Sequence, residues 1–171
     1  MRKLLVITLF AALSMAAGAT IAGASEFGGG IHYLRNLGEI DKDQTLDLNR
    51  NSVGIIASLK KPLAMLSLDL QAEYISNYAG TDNSMWIPSA WALFGNFLYG
   101  GAGIGIGHID GDWQSDPFYA LRAGVNMPLG TMHLDVYGTY QFWNDDDLKN
   151  LTGEDLDSVT LAAVLRFKVG K

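Results

Sequence analysis

Eight polar residues sit at alternate positions inside otherwise apolar runs: Lys60, then Asp69, Gln71 and Glu73, then Arg122, then His133 and Asp135, then Arg166. Charges of both signs in such surroundings need partners, because a buried ion left alone is strongly destabilising. Asp69, Glu73 and Asp135 are matched in kind by Arg122 and Arg166, with Lys60, Lys168, His133 and Gln71 available beside them. Such a set can close on itself as a hydrogen-bonded plug, or it can line a narrow path for ions and small solutes. Nucleophilic catalysis needs a histidine beside a serine, with an acid to orient the ring. His32 and His133 fall on the charged side of their runs, and His108 falls on an apolar side with no serine two residues away. No catalytic residue is assigned on that footing. Asp110-Gly111-Asp112 with Asp116, and Asp145-Asp146-Asp147 with Glu154, Asp155 and Asp157, offer the oxygen ligands that suit Ca²⁺. Neither has EF-hand spacing, and solvated, self-repelling loops are the simpler reading, so no metal is assigned. Gly101, Gly103, Gly105 and Gly107 lack the helix and lysine of a phosphate-binding loop and read as packing space; no cofactor is expected.

The elements that carry these residues have a period of two. Leu66, Leu68, Leu70, Ala72 and Tyr74 share one face, with Ser67, Asp69, Gln71 and Glu73 on the other. A strand separates two such sets completely, whereas a helix scatters them around its circumference. The same alternation runs through residues 27–34, 52–60, 119–127, 132–142 and 159–168. Residues 87–109 carry no formal charge, the usual mark of a membrane-spanning helix. Pro88, Asn96 and the alternating glycines speak instead for two strands, at about 85–94 and 98–108, with a turn at Gly95-Asn96. The faces of the first of these stay open, because Trp86, Trp91 and Phe94 do not share one. Eight strands result. Tight turns fall at Lys61-Pro62, Gly95-Asn96-Phe97 and Pro128-Leu129-Gly130, and longer acidic connections at 36–48, 77–84, 109–116 and 144–158.

The first 24 residues read as an export signal rather than as fold. Arg2 and Lys3 precede an apolar stretch, and Ala22-Gly23-Ala24 has the small-x-small form of a cleavage site. The folded unit is then residues 25–171. The chain has no cysteine, so export brings neither a disulfide nor a lipid-bearing thiol. Without Arg2 and Lys3 the twelve basic residues fall to ten against eighteen acidic ones, and the formal charge moves from −6 to −8. That sign repels phosphate backbones and excludes a nucleic-acid partner.

Closing eight strands into a barrel leaves an interior just wide enough for side chains to fill. The apolar faces, with Leu68, Leu70, Tyr74, Tyr119, Leu121, Leu134, Tyr140 and Phe142, are too bulky for that space and belong outside, where only lipid suits them. Tyr33, Tyr74, Tyr119, Tyr140 and Phe142 lie toward the long connections, and Phe27 and Phe167 toward the tight turns. This is the two-girdle placement of aromatics at membrane interfaces. The expected fold is all-β, an eight-stranded antiparallel up-and-down transmembrane β-barrel.

With these elements the chain resembles the small eight-stranded outer-membrane barrel families, OmpA-domain-like and OmpX/Ail-like, over about residues 26–169. The resemblance lies in the architecture. It implies a monomer in a Gram-negative outer membrane, inserted by the barrel-assembly machinery and in contact with lipopolysaccharide. It further implies a structural or surface-interaction role, with a narrow channel, and more remotely a lipid A-modifying enzyme, as alternatives. Barrels of these families commonly end on an aromatic residue, whereas here Lys168-Val169-Gly170-Lys171 follows Phe167.

Overall fold

The computed structural model describes residues 25–37, 51–78, 82–109, 111–114, 116–142 and 157–169. The expected export segment 1–24 lies outside them, as do Asp110 and the acidic residues Asp145, Asp146, Asp147, Glu154 and Asp155. The strands are β1 (Ser25–Asn36), β2 (Asn51–Leu63), β3 (Leu66–Ile75), β4 (Met85–Gly95), β5 (Leu98–Gly105), β6 (His108–Ile109), β7 (Asp112–Trp113), β8 (Phe118–Leu129), β9 (Met132–Phe142) and β10 (Ser158–Val169). Each long strand pairs antiparallel with its neighbours in the chain, and β1 pairs with β10 from Ser25↔Val169 to Asn36↔Ser158. The sheet therefore closes into an eight-stranded up-and-down barrel, with β6 and β7 as a short ribbon on one rim.

The two-residue period sets the inside and outside of this wall. Along β1, Glu26, Gly28, His32, Leu34 and Asn36 are buried while Phe27, Ile31 and Tyr33 are exposed, Ile31 by 62%. β4 resolves the question its aromatics left open. Met85, Ile87, Ser89, Trp91 and Leu93 point inward, and Trp86 and Phe94 point outward. The glycines of β5 make this possible. A Cβ at Gly103 would lie 2.4 Å from the Trp91 ring, and one at Gly105 would lie 2.4 Å from the Phe118 ring. Only a bare backbone leaves space for two large rings from adjacent strands in so narrow an interior.

Three local expectations are corrected. The turn after β2 falls at Ala64-Met65 rather than Lys61-Pro62, with Ala64 at φ 57° and Pro62 still paired with Ser67. The turn after β8 is Gly130-Thr131, so Pro128 and Leu129 belong to the strand. The fifth strand ends at Gly105 instead of reaching His108. Opposite the break stands Pro88, which has no N–H to bridge the ladder; Ile106 still donates to the Pro88 carbonyl at 3.2 Å. Pairing resumes beyond it in the same register, Trp86↔His108 and Met85↔Ile109, and Ile109, Asp112 and Trp113 of the expected loop 109–116 belong to the β6–β7 ribbon.

Candidate functional site

The interior is layered along its axis. Toward the long connections Leu34, Ile75, Met85, Ile87 and Phe118 are buried together, covered by Tyr78 from the β3–β4 connection. Burial pushes the Tyr78 phenol up to about 12. Polar groups take the middle, and a cavity of about 610 Å³ opens at the tight-turn end.

Arg166 on β10 organises the middle layer. Its side chain is wholly buried, and Gly28 on β1 leaves the room it needs, since a Cβ there would lie 2.6 Å from the Arg166 Cγ. Nη2 donates to Asp69 at 2.9 Å and to Ser58 at 3.1 Å, and Nη1 donates to Asp135. Each carboxylate has further donors. Asp69 accepts from the Ser58 hydroxyl at 2.7 Å and from Gln71 Nε2 at 2.8 Å, with Arg122 Nη1 at 3.5 Å. Asp135 accepts from the Tyr99 hydroxyl at 2.7 Å, and Lys60 Nζ stands 3.8 Å away. Arg122 donates to Gln71 at 2.8 Å and to Thr139 at 3.2 Å. Its guanidinium lies between the rings of Trp91 and Tyr137, 3.6 and 3.9 Å from their centres, where the electron-rich faces offset its lost hydration. The fork geometry of arginine suits it to hold carboxylates from several strands at once.

Of the eight polar residues singled out by spacing, Lys60, Asp69, Gln71, Arg122, Asp135 and Arg166 meet in this cluster. The other two do not. Glu73 turns to His32 on β1, with Nδ1 and Oε2 2.7 Å apart, and His133 pairs with Glu26 at 2.8 Å near the tight-turn end. Glu73 is thus no partner of the arginines, because its height on β3 places it one layer nearer the apolar cap. The polar set read from the sequence leaves out Glu26, Ser58, Trp91, Tyr99, Tyr137 and Thr139, although Ser58, Tyr137 and Thr139 share the charged faces of their strands. Five of the six are neutral and lie outside a search for charge. Glu26 and Tyr99 could have been found by parity, Glu26 with Gly28 and Tyr99 with Gly101 and Gly103.

On the outer wall Phe27, Tyr33, Tyr119, Phe142 and Phe167 are exposed, and Tyr74 and Tyr140 are half-buried at outward positions. Trp86 and Phe94 join them, unforeseen while the faces of β4 were open, as does Trp113 on β7. Tyr74 packs on Trp86 and His108 on Trp113, both with centroids 4.8 Å apart. The His108 side chain makes no hydrogen bond or ion pair among the described residues. Among those residues no group of three or more His, Asp or Glu is placed to hold a metal ion.

This architecture recurs in solved structures. Neisserial surface protein A matches with a TM-score of 0.63 at 16% identity, over 86% of this chain and 99% of that one. The outer membrane protein OprG of Pseudomonas aeruginosa matches at 0.55 and 12% identity, over 88% and 97%. A de novo designed transmembrane β-barrel matches at 0.50 and 13% identity, over 88% and 98%. The chain has the fold of the small outer-membrane β-barrels. No family model and no curated protein sequence matches it, so the likeness of this barrel is one of backbone path and not of shared motifs.

Proposed function

We propose that this barrel is an integral outer-membrane protein whose lumen is closed by its own side chains, and that it serves as a structural and surface-display element. The observation that carries the reading is the junction at Arg166, where β10, β2, β3 and β9 are tied through Ser58, Asp69 and Asp135 across the full width of the interior. Above it Leu34, Ile75, Met85, Ile87 and Phe118 are buried together and narrow the polar part of the interior to Asn36, Ser52, Gln141, Ser158 and Thr160 among the described residues. The exposed apolar residues of the wall support a lipid surround. They include Ile31, Val53, Ile55, Leu98, Leu121 and Leu161, a band that in water would favour association. In this reading residues 1–24 direct export and are removed, the assembly machinery inserts a monomer, and the acidic connections face outward near lipopolysaccharide.

The test is paired. Folded barrels of this kind migrate faster than their boiled form on a denaturing gel, so a heat-dependent shift of the membrane fraction is expected. Purified protein in a planar bilayer is then expected to give no steady conductance. Recovery in the soluble fraction without a shift overturns the membrane reading, and stable single-channel steps overturn the closed lumen. A narrow channel is the second reading, favoured by the cavity of about 610 Å³ that already opens the tight-turn end as far as Lys60.

A further inference from the structure

The cavity at the tight-turn end has at its inner limit a cation, Lys60, whose one ion pair among the described residues is the long contact to Asp135 at 3.8 Å. The central cluster holds three cations, Arg122, Arg166 and Lys60, against two carboxylates, Asp69 and Asp135. Both carboxylates are already engaged, Asp69 by Arg166, Ser58 and Gln71, and Asp135 by Arg166 and the Tyr99 hydroxyl. The Lys60 ammonium is left with Asp135 at 3.8 Å and the Tyr99 ring at 5.0 Å, and makes no hydrogen bond among the described residues. Its cross-strand neighbour Glu26 is the obvious partner, since the two are paired in the β1–β2 register. Glu26 has turned instead to His133, at 2.8 Å. The Lys60 side chain is only 5% exposed, and it lines the cavity. A buried ammonium short of an anion is costly unless a ligand completes it.

The other surfaces of the cavity say what kind of anion fits. Pro62, Ala64, Phe97 and Pro128 give it apolar walls, and Asn126 lies among them. Such a space favours an anion that carries an apolar body over a compact hydrated one, because the walls can gain only by covering carbon. Lys168 at the open end adds a second positive charge on the way in, and the carboxylate that also lines the cavity, Glu26, is held against His133 at 2.8 Å. Entry is from the tight-turn side, where Ala64, Gly95 and Asn96 line the mouth of the cavity.

We propose that this cavity is a binding site for a small organic carboxylate, with the carboxylate on Lys60 and the apolar body against Phe97, Pro62 and Pro128. The site goes beyond the structural role proposed above and does not depend on whether the lumen conducts. The test is a calorimetric titration of the purified, folded protein with benzoate at constant ionic strength, with inorganic phosphate as the comparison. Saturable 1:1 binding of benzoate is expected, weakened about tenfold or more in Lys60→Met, the usual effect of removing a hydrogen-bonded charge. Asn126→Asp, which sets a carboxylate into the cavity wall, is expected to weaken benzoate as well. It serves as the deciding variant if Lys60→Met fails to show the heat-dependent gel shift of the folded form. Absence of saturable binding, equal affinity in the folded variants, or phosphate bound as tightly as benzoate would each overturn the proposal.

Discussion

Single residues carry unequal weight in this interior, and Arg166 carries most. Arg166→Met removes a donor shared by Asp69 and Asp135 and leaves two buried carboxylates with less than they need. The expected loss is about 3–5 kcal/mol of unfolding free energy, the usual consequence of breaking a buried ion pair from one side. Arg166→Lys should restore only part of it, because one ammonium cannot fork to two carboxylates and a hydroxyl. Urea unfolding of the folded protein in micelles measures both, and a loss below about 1 kcal/mol for Met would sink the central role given to Arg166. Tyr78 supplies a test with a defined sign. Its phenol titrates near 10.0 when unfolded and is pushed up to about 12 by burial in the fold. The neutral form is the one the fold holds, so its contribution is complete below pH 10.0 and fades as pH rises toward 12. Tyr78→Phe cannot ionise, so the variant should lose less stability than the parent between those two values. Parallel pH curves for the two proteins would rule out a buried Tyr78. The charged residues were the legible part of this interior, since charge in an apolar run is a loud signal. Their pairing was not, because parity gives the face of a residue and not its height. Glu73 and Asp69 share a face of β3, yet one meets His32 and the other Arg166.

At the scale of the element, the strand count and faces followed from the two-residue period, and the exceptions have local causes. Pro88 splits the fifth strand through a missing donor that its position on the neighbouring strand conceals from a reading of residues 98–108 alone. The turn at Ala64-Met65 escaped notice because alanine is not a turn residue, while Lys61-Pro62 beside it looks like one. The glycines of β5 were legible as space but not as the seat of particular rings. They divide sharply by parity, which makes a test. A side chain at the inward Gly103 meets the Trp91 ring at 2.4 Å, and one at the outward Gly100 meets only a backbone oxygen at 3.7 Å. Gly103→Val should therefore abolish the heat-dependent gel shift or cost roughly 3 kcal/mol and more, at or beyond the upper end for overpacked cores. Gly100→Val should fold like the parent and gain some strand propensity. Equal behaviour of the two would contradict the inward seat of Trp91.

For the molecule as a whole the question is which solvent surrounds the wall. A barrel for water and a barrel for lipid have the same alternation and opposite polarity, and the sequence decided between them through side-chain volume and the placement of aromatics at the strand ends. The structure places Ile31 outward at 62% exposure, midway along β1 between Phe27 and Tyr33, and Val53 outward at 63% beside Tyr33 near the long-connection rim. In a bilayer an arginine at the first position sits near the midplane and should cost about 2–4 kcal/mol, whereas one at the second reaches the interface and should cost about 0–1 kcal/mol. In water both replace an exposed apolar group by a charged one, and neither should destabilise at all. Guanidinium unfolding of Ile31→Arg and Val53→Arg in lipid vesicles reads the difference directly. A depth-dependent cost identifies the apolar band as the membrane-facing belt, because no property of the strand other than its depth in hydrocarbon distinguishes two equally exposed positions on adjacent strands. Equal and negligible costs would mean that the wall meets water, and with it the placement of the acidic connections beside lipopolysaccharide would fall.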